Sequence, residues 1–463
     1  MMMRSNYFYG IICIVLLSSC MAPKHRVPHH ALAQKFSNQC TISADEPLIN
    51  WWQESSDPIL ITLIKTALSY NYDLRIAMES VEFARARYKR AVAQFYPQIN
   101  VEAIANKSQL SLALLENKFY APDNKFSLFE IGLDSFWELD FWGRLWYQKA
   151  TQKAFFEAQI EQMRGVYITV IADVARIYTD WCAFSQRLVC AAEQEEIQKQ
   201  KTMIITDKFN AGLFSIIDYE LQLEQQCNAA DLVRTLYEAK AQAYHALLVL
   251  LGMQQDTVLA LESDLISLAD IPLAVGVPSD ILRRRPDIRE AERVLAAQNA
   301  SIGAACAEWF PRFTLFGGIG TAGNGASQWY QKDSLTWTMG PSITWPLINF
   351  GRVKAQIKEA EAQKRKAALM YSNVVITALK DVEDALVIYF TAKAQQAIAS
   401  TRYKAAHSTY ILVSDKVESG LTELINQLDA ALNVLAQKQE YIIRKHAAAY
   451  GVIAIYKALG WGW

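Results

Sequence analysis

Leu335-Thr336-Trp337-Thr338-Met339-Gly340-Pro341-Ser342-Ile343-Thr344-Trp345 puts an apolar residue at every odd position and a small or polar one at every even position. A period of two sends the two sets to opposite faces of a β-strand. An earlier stretch keeps the same parity, with Phe129, Ile131, Leu133, Trp137 and Leu139 against Glu130, Gly132, Asp134 and Glu138. Shorter alternating partners precede each, Ile99 to Ala105 and Phe313 to Ile319. Strands are therefore expected over about 98–108, 127–140, 312–322 and 334–346. Roughly ten residues of alternation bounded by aromatics suit a membrane β-strand, although a soluble antiparallel sheet with one wet face alternates in the same way.

Working outward, the chain repeats. Asp73-Leu74-Arg75 recurs as Asp287-Ile288-Arg289 and Phe95-Tyr96-Pro97 as Trp309-Phe310-Pro311, both at an offset of 214. Trp137…Gly143-Arg144 recurs as Trp345…Gly351-Arg352, Gly212-Leu213 as Gly420-Leu421 and Leu251-Gly252 as Leu459-Gly460, all at an offset of 208. Marks in one order at a nearly constant offset indicate a duplicated unit, 58–255 and 278–463, joined by a linker at 256–277. Each copy runs a helix into a Pro, then a pair of strands, a Gly-Arg turn and a long helical hairpin.

The outgoing helix from Arg144 would be about 100 Å long and its return from Phe214 only about 57 Å. The helix before the strands adds about 36 Å, so two shorter helices nearly match one long one. Tyr167, Ile171, Val174, Tyr178 and Trp181, and their counterparts Val375, Leu379, Val382, Leu386 and Tyr389, step by four and three, as coiled-coil packing requires. Four strands cannot close a barrel, and an open sheet in lipid leaves unsatisfied edges. Three copies would supply twelve strands, enough for a wide water-filled barrel.

Composition narrows the function. Lys and Arg total 46 against 47 Asp and Glu, which gives no electrostatic case for nucleic acid. The cysteines form no CxxC pair or metal spacing, and no phosphate-binding or hydrolase motif is present, so no cofactor or enzyme chemistry is expected. Arg4, the apolar run Tyr7 to Leu17 and Ser18-Ser19 read as a signal peptide over 1–19. Cys20 directly after it resembles the bacterial lipobox, which implies fatty acylation, including palmitate, at Cys20. Met21 rather than Asp after it favours sorting to the outer membrane, and residues 20–57 read as a tether.

Leu282-Arg283-Arg284-Arg285-Pro286-Asp287-Ile288, Trp345-Pro346-Leu347-Ile348-Asn349-Phe350-Gly351-Arg352 and the ending Ala458-Leu459-Gly460-Trp461-Gly462-Trp463 together resemble the TolC-like outer-membrane factors of tripartite efflux systems, in their lipoprotein branch. The resemblance covers nearly the whole mature chain. It implies a mixed α and β membrane protein of a Gram-negative bacterium that forms a homotrimer. A twelve-stranded outer-membrane β-barrel would continue into a periplasmic α-helical barrel, making a passive exit duct. The implied partners are a periplasmic adaptor (membrane fusion) protein, a proton-driven inner-membrane transporter and outer-membrane lipid.

By the same resemblance, Gly212-Leu213 and Gly420-Leu421 are adaptor-contact tips, while Ile425, Leu428 and Asp429 lie at the closed periplasmic end. Here Leu428-Asp429-Ala430-Ala431-Leu432 lacks the Arg of the family's pattern, so Asp429 is left without that interchain partner. Glu102, Glu130, Asp134 and Glu138 lie on the polar faces of the first-copy strands, with no Lys or Arg on the same parity, which reads as a cation-preferring lumen. A reading from another class remains at this point, a non-pore periplasmic coiled-coil adaptor or structural lipoprotein. Substituting Cys20 with Ala should abolish fatty-acid labelling of the expressed chain, and a variant that still labels would remove the lipid anchor from the interpretation.

Overall fold

The computed structural model describes residues 26–28, 51–55, 57–109, 125–259, 261, 284–328 and 331–462. The signal peptide, Cys20, most of the tether and most of the 256–277 linker lie outside them. In chain order the elements are α1 (Pro58–Tyr70), α2 (Tyr72–Ala93), β1 (Gln98–Gln109), β2 (Lys125–Leu139), α3 (Arg144–Asn210) and α4 (Ile216–Leu250). The second copy repeats them as α5 (Pro286–Ala307), β3 (Arg312–Gly323), β4 (Leu335–Thr344), α6 (Arg352–Glu418) and α7 (Leu424–Leu459). Both outgoing helices have 67 residues. No described helix is long and apolar enough to cross a membrane.

The chain divides into two compact units, and α2, α3, α5 and α6 contribute segments to both. The first holds residues 81–159 and 291–371. Its strands form one antiparallel sheet in the order β1-β2-β3-β4, so β1 and β4 are its edges. Gln98 lies opposite Phe136, Phe129 opposite Gly323, and Arg312 opposite Thr344. β4 ends at Thr344, two residues before the expected limit of 346. Pro346 has no N–H to give the ladder and restricts Trp345 before it.

The duplication is visible in atomic detail within this unit. Trp137 Nε1 donates to the Phe95 carbonyl at 2.9 Å, and its counterpart Trp345 Nε1 donates to the Trp309 carbonyl at 3.0 Å. Each bond ties the end of a strand to the helix preceding its neighbour, just where the helix gives way to Pro97 or Pro311.

The second unit holds residues 29–80, 160–290 and 372–463. Val174, Tyr178, Leu247, Val452 and Tyr456 are buried in its core, a seam that the four-and-three spacing predicts for α3. The same joint closes both copies: Asn71 Nδ2 donates to the Leu250 carbonyl at 2.8 Å, and Arg285 at the equivalent position donates to the Ala458 carbonyl at 2.8 Å. Asp57 caps α1 by accepting from Ile59 N at 2.8 Å, with Pro58 in the first turn where its missing N–H costs nothing.

The tether is shorter than the sequence suggests. Trp51 and Trp52, read above as tether, form a 3-10 turn buried in this core at 1% and 4% exposure. Trp51 stacks on Tyr456 with ring centroids 5.0 Å apart. An indole needs more apolar cover than an exposed linker offers, and α1, α3 and α7 supply it. Trp51→Ala should therefore cost about 3–5 kcal/mol in denaturant unfolding of the helical unit, the range for emptying a large aromatic site. A loss below about 1 kcal/mol, typical of surface positions, would place Trp51 outside the core.

Candidate functional site: the sheet face and the hairpin tips

The sheet has two chemically distinct faces because its registers pair odd positions with odd and even with even. The odd face carries Val101, Ile131, Leu133, Leu315, Ile319, Leu335, Trp337, Met339 and Ile343, all exposed. An apolar face of this extent left bare is what a lipid-facing surface requires. On the even face, Glu102, Glu130 and Asp134 border a groove of about 140 Å³ floored by Gly132, Gly318 and Gly320, with Thr336 and Thr338 beside them. Gly318 stands opposite Asp134, and Gly132 opposite Glu102.

Glu138 separates from that set. Arg144 grips its carboxylate in a fork, Nε to Oε1 at 2.9 Å and an NH2 donor to Oε2 at 2.6 Å. Both side chains are largely shielded. The sequence reading counted Glu138 among unpaired acids because it considered strand residues alone, whereas Arg144 opens α3 six residues later and folds back. Arg312, an even-face cation at the start of β3, is likewise engaged, with Glu308 at 2.6 Å. Asp140 turns the chain here, accepting from Leu145 N at 3.0 Å and Trp146 N at 2.8 Å at the positive end of α3.

The hairpin tips belong to the helical unit and are built alike. Gly212 has φ +74° and Gly420 φ +70°, the left-handed region that a non-glycine residue enters at a cost. Leu213 N donates to the Lys208 carbonyl at 2.9 Å, and Leu421 N to the Lys416 carbonyl at 2.8 Å. Both turns leave a leucine almost bare, Leu213 at 74% and Leu421 at 77% exposure. A large apolar side chain held out by a well-bonded turn contributes nothing to the chain's own core.

Beyond the turns the copies differ. Ser215 and Asp218 form a capping box at the start of α4: Ser215 Oγ donates to Asp218 Oδ2 at 2.7 Å, Ser215 N donates to the same oxygen at 3.0 Å, and Asp218 N donates to Ser215 Oγ at 3.3 Å. The Ser215 hydroxyl, followed by its backbone N–H, holds the Asp218 carboxyl below its ordinary pKa. At the equivalent positions stand Glu423 and Asn426. Glu423 makes no side-chain cap for α7. Its carboxylate instead accepts from Lys208 Nζ at 2.6 Å, linking the end of α3 to the start of α7.

Asp429 is not alone either. Lys201 of α3 donates to its Oδ1 at 2.5 Å, so a cation from within the same chain pairs with it. Sequence reasoning missed this pair because 228 residues separate its members and nothing local marks Lys201 as the partner of Asp429. Ile425 and Leu428 are half-buried on α7, one turn apart on the same side as Asp429. Among the described residues no group of His, Cys, Asp and Glu is arranged to hold a metal ion.

Known proteins share this arrangement. A model of the outer membrane efflux protein family matches residues 63–253 and 277–461, one segment for each structural copy. The cation efflux system protein CusC of Escherichia coli (strain K12) is 32% identical over 462 residues, covering 97% of this chain and 98% of that protein. The solvent efflux pump outer membrane protein SrpC of Pseudomonas putida is 31% identical over 408 residues, covering 88% and 86%. Among solved structures, that of the outer-membrane channel OprN has a TM-score of 0.84 at 28% sequence identity, covering 96% of this chain and 99% of that one. A two-faced sheet and two hairpins, repeated along the chain and matched end to end by channels and pump components, carry one conclusion: the chain belongs to the outer membrane efflux protein family.

Proposed function

We propose that the protein is the lipid-anchored, trimeric exit duct of a tripartite efflux system in the outer membrane of a Gram-negative bacterium. It passively conducts small molecules or ions received from a periplasmic adaptor and an inner-membrane transporter. The observation that carries this reading is the four-stranded sheet with one bare apolar face, one polar face and two open edges. A coiled-coil adaptor without a pore has no use for such a sheet, and three copies would close it into twelve strands. The exposed Leu213 and Leu421 are the adaptor contacts in this reading.

Cargo does not follow from family membership. Relatives at similar identity are named for cation efflux and for solvent efflux. What the chain itself offers is charge: Glu102, Glu130 and Asp134 from three copies would line one lumen and disfavour anions. Glu138 is excluded from that set by its fork with Arg144. At the periplasmic end, closure rests on Ile425 and Leu428, with Asp429 held locally by Lys201.

Recordings from the purified protein in planar bilayers test this. Discrete channels should appear, with reversal potentials in a salt gradient on the cation side. Glu102→Gln with Glu130→Gln and Asp134→Asn should reduce that preference, while removing the forked pair together, Glu138→Gln with Arg144→Gln, changes it little. Ile425→Ser should raise resting conductance more than Asp429→Ala, because an exposed ion pair contributes roughly 0–1 kcal/mol. Absence of any channel would favour the adaptor reading, and anion preference would overturn the lumen assignment.

A further inference from the structure

The compact unit that carries the sheet holds a second cavity, among its helices, of about 280 Å³. Its lining contains two arginines and no carboxylate. α2 supplies Arg87 and Arg90, with Gln94 just past the helix end. α3 contributes Gln148 and Gln152, and α5 contributes Ser301 and Ala304. Arg87 and Arg90 are three residues apart, so they share one side of α2 and their like charges repel.

Neither arginine forms an ion pair among the described residues, and the acids around them are committed elsewhere. Arg85 holds Glu82, while Lys153 and Arg293 hold Glu157. Arg144 holds Glu138, and Arg312 holds Glu308. Arg87 lies over the Phe83 ring, 4.5 Å from its centroid, which braces the guanidinium without neutralising it. The carboxamides of Gln94, Gln148 and Gln152 make no side-chain hydrogen bond among the described residues. The hydroxyls nearby differ: Thr151 Oγ1 donates to the Tyr147 carbonyl and Ser301 Oγ to the Gln298 carbonyl, both at 2.8 Å. The cavity therefore combines two cations that lack a counter-charge with three amide groups whose donors are unspent.

Duplication explains why there is room. Residues 87 and 90 recur as 301 and 304 at the offset of 214, and both pairs line the same cavity. The first copy brings two guanidinium groups. The second brings Ser301 and Ala304, whose short side chains leave the space open. Arginines in both copies would fill the cavity and repel one another.

We propose that this cavity binds the oxyanion group, phosphate or carboxylate, of a small dissolved molecule. Arg87 and Arg90 form the charged clamp, and Gln94, Gln148 and Gln152 supply neutral donors. A guanidinium presents its N–H groups in a planar fork that matches the edge of a carboxylate or phosphate. An anion between the arginines also removes their mutual repulsion. The volume lies at the lower end for small-molecule pockets, which suits a short molecule with one or two such groups.

The position of the cavity separates a solute from a lipid headgroup. Arg144 grips Glu138 on the polar face of the sheet, which fixes the side of α3 that continues that face. Gln148, Thr151 and Gln152 follow Arg144 by four, seven and eight residues and share its side of the helix. The cavity thus lies on the polar side, opposite the apolar face that suits lipid. On the trimer reading above, that side is the duct, and a basic zone on the helices precedes the acidic zone on the strands. Binding itself does not require the trimer.

Calorimetric titration of the purified full chain with sodium pyrophosphate, in a neutral detergent, tests the cavity. One saturable site per chain should appear. Arg87→Gln with Arg90→Gln should weaken it by about tenfold or more, the loss expected when charge-assisted hydrogen bonds are removed. Arg87→Lys keeps the charge but not the fork and should fall between. Ala304→Arg keeps both arginines and takes up the room, and it too should weaken binding. Lys89→Gln, on the same helix but outside the lining, should leave affinity within about twofold. Equal losses from Lys89→Gln and from the double variant would reveal a diffuse cationic surface and overturn the site. Failure of pyrophosphate to bind, with selective retention of phosphatidylglycerol over phosphatidylcholine by the same arginines, would overturn the solute assignment in favour of a lipid headgroup. Binding without channel activity in bilayers would keep the cavity and remove the duct, and channels without binding would do the reverse.

Discussion

An unpaired strand edge cannot remain in hydrocarbon, because each backbone N–H and C=O left without a partner costs several kcal/mol there. That constraint organises the rest of this molecule. The sheet displays an apolar face of large extent, yet its edges, β1 and β4, have no further strand bonded to them among the described residues. A helix satisfies its own backbone and a strand does not, so the strand segment is the part that demands assembly. The helical copies can be viewed as following from it. Each hairpin continues from a strand pair, and the repeated Trp–carbonyl bonds at Phe95 and Trp309 fix where strand stops and helix starts.

Much of this was legible in the sequence, and the reason is periodicity. The alternation in Leu335–Trp345 requires no tertiary information, because a period of two has one structural meaning over ten residues. Repeats were legible for a related reason: an offset is a count. The helix ends at Gly212 and Gly420 came from backbone chemistry that only glycine serves cheaply. What failed was whatever depended on a partner far along the chain. Trp51 looked like tether because much of its cover comes from α3 and α7, more than a hundred residues distant. The pairing of Lys201 with Asp429 gave no signal, and Arg144 was overlooked because it lies outside the strand whose acid it neutralises.

Where the two copies diverge is as informative as where they agree. The fold-defining positions match: the Pro before each strand pair, the Gly of each tip, the joint made by Asn71 in one copy and Arg285 in the other. The positions that differ are those with different neighbours. Ser215 and Asp218 cap their own helix, while Glu423 gives up capping to hold Lys208. Helix capping and a cross-helix ion pair each contribute on the order of 1 kcal/mol or less, so one can replace the other without unfolding the tip. Duplication thus supplies the frame, and later substitution specialises each tip.

The same logic bears on charge along the proposed path. A carboxylate in a glycine-floored groove keeps its field available to a passing ion, since no side chain intervenes. Glu102, Glu130 and Asp134 have that setting, and Gly132, Gly318 and Gly320 create it. Glu138 sits on the same face and has the same chemistry, yet its field is cancelled at 2.6 Å by Arg144. The division falls where the strand meets the helix: Arg144 is committed to the turn that starts α3, and Glu138 is the strand residue within its reach. Acids farther along β1 and β2 lie beyond that fork. Selectivity in such a duct would therefore reside in the strand interior, with the charges at the strand–helix joint serving structure.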